Sequence, residues 1–382
     1  MSSSAPDPVE LTRDLVRCAS VTPLDEGAQD ILIDTLKNMG FRNWDVTREN
    51  IRNTFFRIGD SGPHFCFAGH TDVVPAGDES LWRHPPFSGA IENGILYGRG
   101  TADMKGNVAA FVAATGRFLE KNGRPAGSIS LLITGDEEDE AINGTVKVLE
   151  WMKEHGHIPD MTLVGEPSNL NKVGEAVRIG RRGSLTCYLK LTGKQGHVAY
   201  PEKAENPIPR MARILSHISD LKLDDGNDYF APSSLQISTV DVGNPADNVI
   251  PAQINAEFNV RFNDHWNSDT LKEYLISEMR PHLKEGDTID WRLSGESFIT
   301  QPGEYTDMVC EAIEDMTGLK PEMNTGGGTS DARFVQAYSP VVEFGLVNKT
   351  IHQTDEHVPV KDLETLTRIY ERILEKFFND ER

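Results

Sequence analysis

The sequence predicts an α/β protein whose mostly parallel central sheet, flanked by helices, is interrupted by an inserted α+β domain. Three observations predict it. Strand-like and helix-like runs alternate up to about position 180, the pattern of parallel βαβ layers. Longer strands with in-out alternation then take over, and the α/β pattern returns after Trp291. The chain has 382 residues, more than one core usually supports and enough for two domains.

The elements follow in order. Asp7-Pro8 has the form of a helix start, with Val9, Leu11, Leu15 and Val16 as the apolar stripe, since proline suits the first turn. A second helix is expected to run to Met39 and stop at Gly40, a residue type suited to helix ends. Strands are expected over Thr54–Ile58, His64–Ala68, Ile91–Tyr97, Ser128–Thr134 and Met161–Val164. Helices fit at Gly106–Glu120 and Gly144–Glu154. In the insertion, Ser184–Leu191, Ser234–Val240 and Gln253–Phe262 read as strands, the last with clear alternation. Helices Pro207–Ser219 and Ser268–Met279 lie among them. Beyond it come helices Glu304–Thr317 and Leu363–Phe378 and a strand Pro340–Phe344. The expected division is 1–179 with 293–382, and 180–292 for the insertion.

Composition narrows the function classes. The formal net charge of −21 argues against nucleic acid, whose phosphates need a basic surface. Cys18, Cys66, Cys187 and Cys310 are far apart and form no C-x-x-C pair. A thiolate zinc knuckle is excluded and a disulfide framework is not expected. No apolar run approaches the ~18 residues of a membrane span. The start, MSSSAPDPVELTRD, has no signal-peptide pattern. A cytoplasmic protein with no membrane partner is the expectation.

Five short stretches carry candidate chemistry. His70 ends HFCFAGH, with Asp72 two residues on; a ligand histidine is commonly held by a carboxylate on its other nitrogen. Asp103 lies in YGRGTADMKG, where Gly98, Gly100 and Gly106 allow sharp bends. A dinucleotide loop would need glycine at 103 and is a poor fit. Glu137 and Glu138 follow SISLLIT in GDEED; adjacent carboxylates point different ways and can divide metal binding from proton transfer. Glu166 closes MTLVGEP, and His352 lies in GLVNKTIHQTDE with His357 close behind. Taken singly, His70 with Asp72, the acidic turn and His352 are better explained by a structural or solvated role, and Glu166 equally well by either. Together, most fall at strand ends or in glycine-rich turns, where ligands gather in open α/β sheets. Two histidines with three carboxylates suit two transition-metal ions sharing one carboxylate.

These stretches resemble the M20 metallopeptidase family. The likeness lies in AGHTDVVPAGD (68–78), LYGRGTADMKG (96–106), TGDEEDEAINGT (134–145) and VGEPS (164–168), and covers nearly the whole chain. GRRGSLTCYLKLTGKQGHVAYP (180–201), NVIPAQINAEFNVRF (248–262), TGGGTSDARF (325–334) and NKTIH (348–352) narrow it to members that cleave N-succinyl-LL-2,6-diaminopimelate in lysine and diaminopimelate biosynthesis. The resemblance implies a zinc-exopeptidase-like catalytic domain holding two Zn2+ per subunit, replaceable by Co2+. It implies that His70 and Glu166 bind one ion, Glu138 and His352 the other, and Asp103 both. Asp72 would orient His70, and Glu137 would be the general base. The insertion would dimerise, and His197 would reach the partner's active site to polarise the substrate carbonyl. Arg181, Arg261, Tyr200, Asn248 and the loop with Gly327 and Thr329 would hold the substrate. Two departures stand out: GDEED replaces an SDEE-Gly context, and Asp355 stands where asparagine is usual. Acetylornithine deacetylases and aminoacylases of the same family are rival readings, as is an inactive zinc-binding homologue.

Overall fold

The computed structural model describes residues 5–379. The chain forms two compact units. The first holds the described residues up to Gly180, Thr300–Asn324, and the described residues from Ser330 on.

Its centre is an eight-stranded sheet in the order Arg42–Asp45, Thr54–Ile58, Ser128–Thr134, His64–His70, Met161–Val164, Val341–Glu343, Ala176–Arg178, Glu322–Asn324. The four central strands, from Ser128–Thr134 to Val341–Glu343, run parallel. Every residue of Thr54–Ile58, His64–His70 and Ser128–Thr134 is buried, as sequences covered on both faces require. The fully buried Phe55, Phe56, Phe65 and Phe67 each contribute roughly 1.5–3 kcal/mol by leaving water. Helix Lys105–Asn122 is buried along most of its length and packs between Pro8–Arg17 and Val360–Asn379. Pro8–Arg17 starts as its sequence implies, with the Asp7 carboxylate accepting from the N–H groups of Val9 and Glu10 at 2.8 and 3.0 Å.

The second unit comprises Arg181–Ile299 with Thr325–Thr329. Its antiparallel sheet has the order Ser234–Asp241, Gln253–Phe262, Gly183–Thr192, Thr288–Gly295. Helices Ile208–Ser219 and Ser268–Met279 join it in a core of Leu185, Leu189, Ile214, Phe258, Val260 and Leu271.

Three local expectations change. Ile91–Tyr97 is not one strand but a hairpin, Ala90–Glu92 and Ile95–Tyr97. Asn93 and Gly94 turn it, with φ of 52° and 77°, the left-handed pair a tight hairpin needs. The strand Thr288–Gly295 carries the α+β pattern past 292, the boundary expected from the sequence. His357–Pro359 pairs with Ile95–Tyr97 as a further short strand.

Candidate metal centre

Parallel register builds the site. His70 pairs with Thr134, and Ala68 with Val164, so three neighbouring strands end at one edge. His70, Glu137, Glu138 and Glu166 follow within a few residues of those ends. The fourth segment, Gly98–Met104, bends against the same edge, Gly100 adopting φ of 86°. Gly165 makes room for it. A Cβ there would lie 2.4 Å from the Phe67 ring and 2.7 Å from Met104 Cε. His352 arrives on a turn near the end of the chain, half-exposed and with φ of 60°.

The donor atoms converge. His70 Nε2 lies 3.3 Å from Asp103 Oδ1 and 3.7 Å from Glu166 Oε1. His352 Nε2 lies 3.4 Å from Asp103 Oδ2 and 3.1 Å from Glu138 Oε1. Tetrahedral ligands about 2.0–2.1 Å from one zinc would sit about 3.3–3.4 Å apart. Each triad is thus spaced as the shell of one ion, and Asp103 offers a different oxygen to each. A third grouping, His70 with Glu137 and Glu138, is also compact. Within it Glu137 Oε2 stands farther off, 4.0 Å from His70 Nε2.

His70 is held for ligation. Its Nδ1–H donates to the Asp72 backbone carbonyl at 2.9 Å, which leaves Nε2 facing the carboxylates as the lone-pair nitrogen of a neutral ring. That buried atom has no hydrogen-bond partner, and an ion would satisfy it. Asp72 therefore orients His70 mainly through its carbonyl; its carboxylate lies 3.6 Å from Nδ1. The carboxylate instead accepts from the N–H groups of Glu137 at 3.3 Å and Glu138 at 3.1 Å. It thereby fixes the acidic turn.

The electrostatics show what the site lacks. Burial and the neighbouring Glu166 push the Glu137 carboxyl well above its usual range. Burial opposes the His70 imidazolium, yet Asp103, Asp72 and Glu137 outweigh it and hold its pKa well above normal. The Asp103 and Glu138 carboxylates, accepting hydrogen bonds from its ring, raise His352 to about 10. Burial raises Asp72 to about 6 against the pull of His70. Burial also works against Asp103, but the His352 and His70 rings facing its two oxygens hold it below the carboxylate range. Five carboxylates share this edge with two imidazoles. Protons fill the role of cations, and a nitrogen–oxygen donor set of this kind suits zinc or a similar metal.

The remaining sequence-derived residues lie in the second unit. His197 and Asn248 are exposed, and Tyr200 is 53% exposed. His197 packs edge-on against Tyr200, and the Val198 N–H donates to the Asn248 carbonyl at 3.0 Å. The buried Arg181 donates from Nη1 to the carbonyl of Gly328 at 2.8 Å. Burial and the nearby Arg182 and Arg181 guanidiniums lower the Arg261 pKa. Gly327, with φ of 97°, and Thr329 belong to the same loop segment as Gly328. This unit therefore holds a basic cluster, and Arg182 belongs to it although nothing in its sequence context marks it.

Two further residues had no expected role. Glu356 is fully buried and accepts from the N–H groups of Ala102 and Asp103 at 2.9 and 3.2 Å. Arg99 donates to its other oxygen at 2.6 Å. The only sequence signal was an arginine between glycines and an acid four positions past His352. Asp355 touches no candidate ligand and accepts from the Arg83 N–H at 2.7 Å. His357 also stays apart, its Nδ1–H donating to the Asp355 carbonyl at 2.7 Å.

Comparison with known proteins agrees with this geometry. Residues 66–376 match the model of peptidase family M20/M25/M40. The chain is 52% identical to the succinyl-diaminopimelate desuccinylase of Rhodopseudomonas palustris strain TIE-1, over 98% of this chain and 100% of that one. It is also 52% identical to the enzyme of that name from Rhodospirillum centenum, over 98% of each. Among solved structures, an M20 family metallo-carboxypeptidase from Sulfolobus solfataricus aligns with a TM-score of 0.79 at 17% identity, over 97% of this chain and 99% of that one. A dinuclear metal binding M20 peptidase from Bacillus subtilis aligns at 0.72 and 16%, over 97% and 96%. At such identities the structural likeness speaks for the fold.

Proposed function

The chain belongs to peptidase family M20/M25/M40, and from that premise we propose that it hydrolyses N-succinyl-LL-2,6-diaminopimelate to succinate and LL-2,6-diaminopimelate, using two zinc ions. One observation carries the two-ion reading: Asp103 turns one oxygen to His70 and the other to His352, at 3.3 and 3.4 Å. The substrate rests on the relatives at 52% identity over almost the whole chain.

Cations held there supply Lewis acidity to the amide carbonyl and acidify a water molecule. His70 and Glu166 are assigned to one, Glu138 and His352 to the other, and Asp103 to both. Glu137 is the general base. It is largely shielded and stands close to the donor atoms without being among the closest to His70, a place that suits a group that takes a proton and returns it. The water oxygen adds to the succinyl carbonyl carbon, the C–N bond breaks, and Glu137 delivers the proton to the leaving amine. Arg181 and Arg261, with Arg182, bind substrate carboxylates, for which guanidinium forks are suited. Tyr200, Asn248, Gly327 and Thr329 complete that recognition. The protein works as a cytoplasmic homodimer, with the His197 imidazole of one subunit polarising the carbonyl bound by the other.

Among the described residues no helix is long and apolar enough to cross a membrane. The test compares zinc-loaded protein on succinyl-diaminopimelate, acetylornithine and acetylated amino acids. The succinyl substrate should lead in kcat/KM by about a hundredfold or more, as expected where buried polar groups read a substrate charge. A lead for acetylornithine would place the chain with another activity of the same family. Gel filtration tests the dimer, and full activity in a monomer would remove the role of His197.

A further inference from the structure

The two candidate triads differ in how their parts are held. His70 and Glu166 stand at the ends of adjacent, fully paired strands, and the His70 ring is fixed through Nδ1. In the triad of Asp103, Glu138 and His352, the Glu138 N–H is held by Asp72, but the other two members stand off the sheet. Asp103 sits in a glycine-rich bend, and His352 on a half-exposed turn nearly 250 residues later.

What joins those two segments is a buried ion pair. Glu356 and Arg99 are 0% and 2% exposed. One Glu356 oxygen accepts from the N–H groups of Ala102 and Asp103 at 2.9 and 3.2 Å. The other accepts from Arg99 Nη1 at 2.6 Å. Arg99 spans back, donating to the carbonyl of Gln353, next to His352, at 3.3 Å, and to that of Pro75 at 3.3 Å. Its guanidinium lies over the Trp82 ring at 5.3 Å from the centroid. The Gly98 N–H closes the connection on the Glu356 carbonyl at 2.9 Å. Apart from the Pro75 and Trp82 contacts, each links 98–103 to 353–356. None touches Glu166, and His70 is met only through Asp103, which the two triads share.

We propose that Glu356 and Arg99 are positioning residues for one ion of the pair, the one shared by Asp103, Glu138 and His352, and set its affinity without touching it. The inference rests on the two-ion reading above. A buried ion pair is a poor source of net stability, since desolvation offsets its attraction. A pair that instead fixes the backbone of a ligand acts as outer-shell partners do, whose loss typically costs about 10–100-fold in metal affinity.

The experiment is calorimetric titration of the metal-free, full-length protein with Zn2+, repeated with Co2+ and read by visible absorption. Wild type should bind two ions. Glu356→Gln should weaken one of them at least about tenfold and the other, which has only Asp103 in common with it, by a clearly smaller factor, with the metal-free circular dichroism unchanged. Adding Arg99→Met removes the stranded charge while the amide oxygen still accepts from Ala102 and Asp103, and should restore part of the lost affinity. If Glu356→Gln does not fold, Arg99→Lys keeps the charge and loses the fork, and should weaken the same ion by a smaller factor. Equal weakening of both ions, or of neither, overturns the proposal while the two-ion reading stands. A wild type that binds a single ion overturns that reading, and this proposal with it, before any variant is made.

Discussion

The two units hold their charged groups by opposite means. In the first, carboxylates and the His70 ring are buried or nearly so at the edge of a sheet whose strands are paired on both sides, with only His352 half-exposed, and Asp72 and Glu356 pin the backbones of Glu137, Glu138 and Asp103. In the second, guanidiniums gather beside a loop, residues 325–329, that is exposed over its three glycines. The difference follows from the ligands proposed for each. A small cation shared by several donors tolerates little error in their spacing. A carboxylate on a flexible substrate can be met by an adaptable loop with forked donors. Rigidity belongs to the chemistry, and local positive charge on a chain of net charge −21 belongs to recognition.

That contrast can be broken from either side. The largest effect should come from Glu137→Gln, which keeps the shape of the acidic cluster and removes its base. kcat should fall about 10²–10⁴-fold, while metal content by atomic emission stays at the wild-type level. A near-normal rate with metal bound would remove Glu137 from its role. On the other side, Arg261→Lys should leave kcat close to wild type and raise KM for succinyl substrates roughly tenfold or more, about the worth of a charge-assisted hydrogen bond. KM for acetylated substrates should move little. Equal changes for both would mean that Arg261 does not read the distal carboxylate.

Rigidity itself can be compared with a pair of glycines. A Cβ at Gly345 would lie 2.5 Å from the Glu166 carbonyl oxygen and 2.5 Å from Asn107 Oδ1. Gly345→Ala should cost about 1–3 kcal/mol by overpacking, read as a lower denaturant midpoint. Gly328 has open space around it, and Gly328→Ala should stay within about 0.5 kcal/mol. The smallest effect is a drift with pH. In metal-free protein His352 has a pKa near 10, above its ordinary value of about 6.5. The folded state then binds more protons than the unfolded one. The stability it adds is full below about pH 6.5 and disappears as pH rises through about 10. Melting temperatures in chelator should fall across that window, and His352→Gln should flatten the fall. Metal-loaded protein, with the ring neutral and coordinated, should not show this contribution.

Much of the molecule was legible in the chain. Ser128–Thr134 and Met161–Val164 appear with the bounds expected, because short apolar runs with punctuated ends leave little choice of element. The candidate ligands were readable only as a set: no one of them stood out, but their recurrence at strand ends and glycine-rich turns, with the family resemblance, marked them. The hairpin at Asn93-Gly94 was missed although that dipeptide is a strong turn signal; the apolar residues on both sides masked it. Arg42–Asp45, Ala176–Arg178 and Glu322–Asn324, at or next to the sheet edges, were missed because such short strands carry too few residues to show a period. Glu356 was beyond reach for another reason. Its meaning lies in backbone groups some 250 positions away, and no local pattern encodes such a partnership. Arg182 was overlooked beside Arg181, as neighbours on a strand normally face opposite ways.

The chain order of the cluster matters during synthesis. His70, Asp103, Glu138 and Glu166 emerge from the ribosome within a span of 97 residues, whereas His352 follows Glu166 by 186 residues. The helix that follows, Val360–Asn379, packs on Lys105–Asn122, the helix that begins beside Asp103. A nascent chain that has not yet reached His352 therefore holds an incomplete donor set, and hydrolytic competence waits for that late segment.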